Sequence, residues 1–151
     1  MKFSLNLSQN YSNVELKSLP HDEIVARIGA QLGAIEDISE WVNKYHGILI
    51  AKVISCEKHP EADKLSLCLI DDGGITDSVE RNEDGLVQVV CGAPNVREGL
   101  LVAWIPPGAT VPSSIQTDPF VLSAREIRGK ISNGMLGSPK ELDISDEHEG
   151  I

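Results

Sequence analysis

Aromatic residues make up only 4% of this 151-residue chain. A nucleic-acid surface built mainly from stacked rings is therefore excluded. Long apolar runs are also missing. The run Gly47–Val53 is interrupted by Lys52, and no apolar run approaches the length of a membrane span. The opening Met1-Lys2-Phe3-Ser4 lacks the apolar stretch of a secretion signal. Cysteine is scarce and odd in number: Cys56, Cys68 and Cys91, with no C-x-x-C spacing. That predicts free thiols in a reducing cytoplasm rather than a disulfide framework. Positive charge is in short supply, with 13 Lys and Arg against 23 Asp and Glu and a net charge of −10. Bulk attraction to phosphate is excluded by that balance.

What is present fits an ordinary globular chain, 41% hydrophobic and 24% charged. A chain this long buries roughly 68–70% of its unfolded surface and needs no staple. The negative charge is concentrated. Asp71, Asp72, Asp77, Glu80, Glu83 and Asp84 face only Arg81 within residues 71–84. Glu141, Asp143, Asp146, Glu147 and Glu149 face only Lys140 near the end. Between them, Arg125, Arg128 and Lys130 outweigh Glu126. This is either a local basic site or a solvated face.

Two regions read differently, 1–38 and 39–151. In the first, Ile24, Val25, Ile28 and Leu32 form one apolar stripe at helical spacing, predicting a helix over about Pro20–Leu32. Ser18 suits its cap, Asp22 and Glu23 its first turn, and Gly33 its end. The second region is rich in short strands: Gly47–Cys56, Leu65–Ile70, Leu86–Cys91, Leu100–Ile105, and a fifth opening at Phe120–Leu122. Turn signals separate them at His59-Pro60, Asp72-Gly73-Gly74, Asp84-Gly85, Ala93-Pro94-Asn95 and Pro106-Pro107-Gly108. The pattern predicts a small, mainly β barrel of five strands behind an N-terminal helical α/β segment. The stretch Asp71–Gly85 reads as a charged, mobile hairpin loop that does not pack.

Three patterns bear on chemistry. His59-Pro60-Glu61-Ala62-Asp63-Lys64-Leu65 joins two strands; Lys64 suits a phosphate and His59 a phosphate or a stacked ring, or else this is a plain turn whose carboxylates cap a helical turn at the strand junction. Val90-Cys91-Gly92-Ala93-Pro94-Asn95 ends a strand in a tight turn, where Asn95 suits a base edge or sugar. Cys91 reads as a small buried hydrophobe, since no base is assigned to activate it. Arg125 through Leu136 offers Arg125, Arg128, Lys130 and Ser132 beside Gly129 and Asn133-Gly134, a mixture suited to a sugar–phosphate chain. Met135-Leu136 reads as core. No metal is expected: Asp143, Ser145, Asp146 and His148 lack the EF-hand order, and His46, Cys56 and His59 lack zinc-finger spacing. No catalytic residue is expected either.

The ordered set of motifs resembles the N-terminal portion of bacterial phenylalanyl-tRNA synthetase β subunits. It comprises Met1-Lys2-Phe3-Ser4, His59–Leu65, Val90–Asn95, Arg128-Gly129 with Ser132–Leu136, and Glu141-Leu142 with Ile144-Ser145-Asp146. The central motifs are shared with other synthetase-linked tRNA-binding oligonucleotide/oligosaccharide-binding (OB) folds. Gly137 stands where the family usually has Cys, Asp143 where it often has Gly, and Ile75–Gly85 looks like an acidic insertion.

The resemblance implies an OB barrel over 39–151 and, over 1–38, half of a domain completed by later chain. It also implies a non-catalytic piece of a longer enzyme, with ATP and magnesium belonging to the intact protein. The implied partners are phenylalanine-specific tRNA, the α subunit and the remaining β-subunit domains, with no membrane. Lys64, Asn95, Arg125, Arg128, Lys130 and Ser132 are the expected RNA contacts. The competing expectations are an assembly module with little tRNA contact and a stand-alone tRNA-binding protein of the same fold.

Overall fold

The structure is a computed structural model describing residues 4–36, 38 and 41–151, apart from the side chains of Lys17 and Val42. Met1, Lys2 and Phe3 of the opening motif lie outside the described residues, as does residue 39, where the second region was expected to begin. Two compact units form, Met1–Glu40 and Trp41–Ile151.

The first unit is helical in its described residues. Helix α1 (Leu5–Gln9) is capped by Ser4, whose hydroxyl accepts from the Leu7 amide at 3.3 Å. Helix α2 (His21–Gln31) begins one residue after Pro20 and carries Asp22 and Glu23 in its first turn. Ser18 does not cap it. It sits in a separate 3₁₀ turn, Leu16–Ser18, and its hydroxyl donates to the Glu15 carbonyl. Only Ile24 of the apolar stripe is buried, and Leu32 is 83% exposed.

The second unit opens with a short helix α3 (Trp41–Lys44), followed by β1 (Leu49–Lys58), β2 (Ser66–Asp71), β3 (Val87–Cys91), β4 (Leu101–Ile105), β5 (Arg125–Ile127), β6 (Lys130–Ser132) and β7 (Met135–Leu136). Five of these form one antiparallel sheet in the order β3-β2-β1-β4-β7, while β5 and β6 form a separate hairpin. This is an OB-type barrel. Strand β1 pairs with β4 through Leu49–Lys52 and with β2 from Lys52 to Lys58. A register break between Val53 and Ser55 lets the long strand bend between its two partners.

The core follows from alternation. Ala51, Val53, Cys68, Ile70, Val87, Val89, Val102, Trp104 and Leu136 face one another in a single cluster. In β2 the inward residues are Cys68 and Ile70, and Leu67 and Leu69, which alternate with them, stay half-buried. Burying each large apolar side chain contributes about 1.5–3 kcal/mol, so the cluster dominates stability.

The expected fifth strand is placed differently. Phe120–Leu122 makes its backbone pairs with residues 108–111, around the Thr110–Val121 bridge, in an excursion with its own small core of Ile105, Ala109, Val111 and Leu122. The fifth barrel strand is Met135–Leu136, whose two residues were too few to show a period. It pairs with β4 through Trp104 and Ile105.

Closure comes from the turn just before it. The Asn133 amide donates to the Gln88 carbonyl at 2.9 Å, and the Val90 amide donates to Ser132 Oγ at 3.0 Å. Trp104 Nε1 donates to the Asn133 carbonyl at 2.8 Å. Gly134 has φ +87°, and a Cβ there would run into the Ile105 carbonyl oxygen and lie 2.9 Å from Trp104 Nε1.

The acidic stretch 71–85 also departs from expectation, because it packs. Asp72 is buried, and its carboxylate accepts from the Gly74 and Thr76 amides and from both terminal nitrogens of Arg81, at 2.8–3.1 Å. Arg81 also donates to the Gly85 and Thr76 carbonyls, and Val79 packs on the core. The Arg81 guanidinium holds the Asp72 carboxyl well below the usual carboxylate range, with the amides adding to it and burial opposing.

Two outcomes follow. Gly134→Ala is expected to cost about 3 kcal/mol or more, from left-handed strain plus overpacking, read as a fall in the urea midpoint. Asp72→Asn is expected to cost about 3 kcal/mol at neutral pH, by leaving Arg81 without its buried partner. A depressed folded pKa stabilises fully above the unfolded value of about 3.9. The gap between the two proteins should therefore be constant above about pH 5 and shrink as pH falls further.

Candidate nucleic-acid interface

The β5–β6 hairpin carries most of the basic cluster. Its register pairs Arg125 with Ser132, Glu126 with Ile131 and Ile127 with Lys130. Arg125, Ile127, Lys130 and Ser132 therefore share one face, with Glu126 and Ile131 on the other. The turn residues Arg128 and Gly129 have φ of +49° and +76°. Two positive φ values in a two-residue loop are the hallmark of a type I′ hairpin, which favours Asn-Gly. Here arginine occupies the place asparagine would suit best. Arg125 and Arg128 are exposed and Lys130 is half-buried.

The loop between β1 and β2 lies against this turn. The His59 amide donates to the Leu65 carbonyl at 2.9 Å, drawing the loop closed. The His59 ring is buried, with 4% exposure. The Glu61 amide donates to its Nδ1 at 3.1 Å, so Nε2 carries the proton and donates to the Ile127 carbonyl at 3.3 Å. A Cβ on Gly129 would lie 3.9 Å from Glu61 Oε2, placing that carboxylate beside the turn. Lys64 is exposed in the same loop. Among the described residues, none of Lys64, Arg125, Arg128 and Lys130 forms an ion pair. Their neighbourhood is mixed in sign, with Glu61, Asp63 and Glu126 close in sequence.

The other two expected contacts have their polar groups occupied inside the chain. Ser132 is 2% exposed. Its hydroxyl accepts from Val90 and donates to the Gly134 carbonyl at 3.0 Å, so it closes the barrel instead of meeting a ligand. Asn95 is exposed but its amide is taken: Nδ2 donates to the Ile151 carbonyl at 2.7 Å, and Oδ1 accepts the Ile151 amide at 3.0 Å. Its turn is nonetheless at the same end of the barrel as the 59–65 loop, because Cys91 lies opposite Ser66. The His59 ring, read from sequence as a phosphate donor or a stacking group, is buried in the turn. Nothing in the sequence marked Gln88 as a partner of the hairpin, where its Nε2 donates to the Ile131 carbonyl at 2.7 Å.

The thiols are those of an interior. Cys68 and Cys91 are buried and Cys56 half-buried, all three free. Burial pushes the Cys68 and Cys91 thiols up, which keeps them protonated and poor nucleophiles. Among the described residues, no group of three or more His, Cys, Asp or Glu side chains is placed to hold a metal ion. A cavity of about 680 Å³ lies elsewhere, lined by Gly47, Ile75, Pro106, Ala109 and Ile115 among others, and shares no residue with the hairpin.

Comparison with known proteins bears on this arrangement. Residues 48–151 match the family described as "Putative tRNA binding domain". The full chain is 39% identical to the phenylalanine–tRNA ligase β subunit of Desulfotalea psychrophila and 36% identical to those of Nitrobacter winogradskyi and Dickeya dadantii. It spans only 16–17% of the length of these curated relatives.

The strained position of Arg128 yields a stability expectation. Arg128→Asn should stabilise the fold by about 0.5–1 kcal/mol, because asparagine tolerates the left-handed region that arginine does not favour. A rise in the thermal midpoint would confirm it, and a fall would contradict the turn assignment.

Proposed function

The chain belongs to the tRNA-binding domain family through residues 48–151, and on that premise we propose that it is a non-catalytic tRNA-contacting module of a phenylalanyl-tRNA synthetase β subunit. The observation that carries this is the hairpin and loop bearing Lys64, Arg125, Arg128 and Lys130, cations with no acidic partner among the described residues. Arg128 supports it most. A residue that strains its own turn and makes no internal ion pair is best accounted for by an external anion. The RNA backbone supplies such anions, and charge is the main source of its affinity.

In this reading the tRNA is that of phenylalanine. The α subunit and the remaining β-subunit domains are further partners, and ATP and magnesium serve the intact enzyme. Among the described residues, no helix is long and apolar enough to cross a membrane. We place the module in the cytoplasm. The net charge of −10 makes free-standing affinity weak and salt-sensitive.

A second reading, an assembly module with minor tRNA contact, is favoured by one feature. Ile50 and Leu101 are 68% and 67% exposed on the paired strands β1 and β4. Titration of tRNA against the chain and its Arg125→Ala/Arg128→Ala/Lys130→Ala variant separates the two. The tRNA reading expects at least about a tenfold loss at low salt, with the log–log salt slope reduced by about two to three. An unchanged isotherm would leave the assembly reading standing.

A further inference from the structure

We infer that His59 is a positioning residue for RNA: from inside the fold, its ring holds the Arg128 turn against the 59–65 loop, so that Arg128, Lys130 and Lys64 act as one unit. This rests on the reading of the hairpin as an RNA contact.

The geometry assigns the role in three steps. First, His59 is too buried to touch a ligand itself. Second, both ring nitrogens are committed, Nδ1 to the Glu61 amide of its own loop and Nε2–H to the Ile127 carbonyl immediately before the turn. One side chain thus spans the two segments that carry the cations. Third, the other polar ties of the hairpin lie at its β6 base, where Ile131, Ser132 and Asn133 meet Gln88 and Val90. Strands of three residues do not hold a hairpin rigid by themselves. A tip freed of His59 would have to be ordered on binding, at a cost in affinity. Pro60 helps by restricting His59 to an extended backbone.

The distinguishing property is that removing His59 changes no cation yet should act like removing one. tRNA binding is measured against salt for the chain and for His59→Ala, His59→Phe, His59→Gln and Arg128→Ala, together with the His59→Ala/Arg128→Ala double variant. His59→Ala should lose about fivefold in affinity and lower the salt slope by about one, as a lost phosphate contact does. Adding Arg128→Ala should then cost less than about twofold, a non-additivity expected of coupled residues. His59→Gln, which keeps a donor and an acceptor, should recover part of the loss. His59→Phe keeps the buried volume and serves if the alanine variant does not fold. In the unaltered chain, nitrogen-15 spectra should show the Nε2–H tautomer.

Full additivity, an unchanged slope in both His59→Ala and His59→Phe, or an Nδ1–H tautomer would each overturn the inference while the hairpin reading stands. If Arg128→Ala itself leaves binding unchanged, it is the hairpin reading that fails, and the inference goes with it.

Discussion

Closure of the barrel is the constraint on which the remaining structure depends, and three consecutive residues provide it. Ser132, Asn133 and Gly134 stand between the two edge strands of an otherwise open five-stranded sheet. Ser132 and Asn133 satisfy the β3 edge at Val90 and Gln88, and the Asn133 carbonyl takes the indole proton of the fully buried Trp104. Gly134 lets the chain pass against the Ile105 carbonyl, where any side chain would collide. An open edge invites pairing with other chains; here the β3 edge is met by the end of β6 and the residue after it.

The same closure presents the hairpin. Because β6 ends in the buried Ser132, the face carrying Arg125 and Lys130 is referenced to the barrel wall, and Arg128 and Gly129 form the turn at its tip. His59 then fixes the tip to the neighbouring loop. Buried groups set the geometry in which the exposed charges are held. This division lets an acidic protein keep a local cluster of exposed cations. The most concentrated acidic stretch is partly neutralised within itself, where Asp72 is locked to Arg81, and its hairpin does not involve β5 or β6.

Some departures from the family pattern acquire a physical meaning. Asp143, where Gly is often found, has φ +53°. Aspartate tolerates this region better than most residues, and its carboxylate is used as well, meeting Lys44 Nζ at 2.7 Å. That pairing raises the Lys44 pKa and pins α3 to the turn, as does the Tyr45 hydroxyl donating to the Leu142 carbonyl at 3.0 Å. Glycine at 137 leaves Leu142 and Ile105 packed closely where a Cβ would lie, at 3.2–3.3 Å.

Strands β1 to β4 were legible within two residues at each end, because their apolar residues are numerous enough to show a period and their turns carry Gly, Pro and Asn. The exposed cations were legible too, since charge is a local property of the residue. The fifth strand, the packing of the acidic loop, and the fates of Ser132, Asn95 and His59 were not. Each depends on a partner far along the chain: Leu136 on Trp104, Ser132 on Val90, His59 on Ile127. A polar side chain looks the same in sequence whether its hydrogen bonds go to solvent, to ligand or to a distant backbone group. Composition and periodicity settled that a β barrel forms and where its charges lie; long-range hydrogen bonding decided which polar residues were left free to meet anything else.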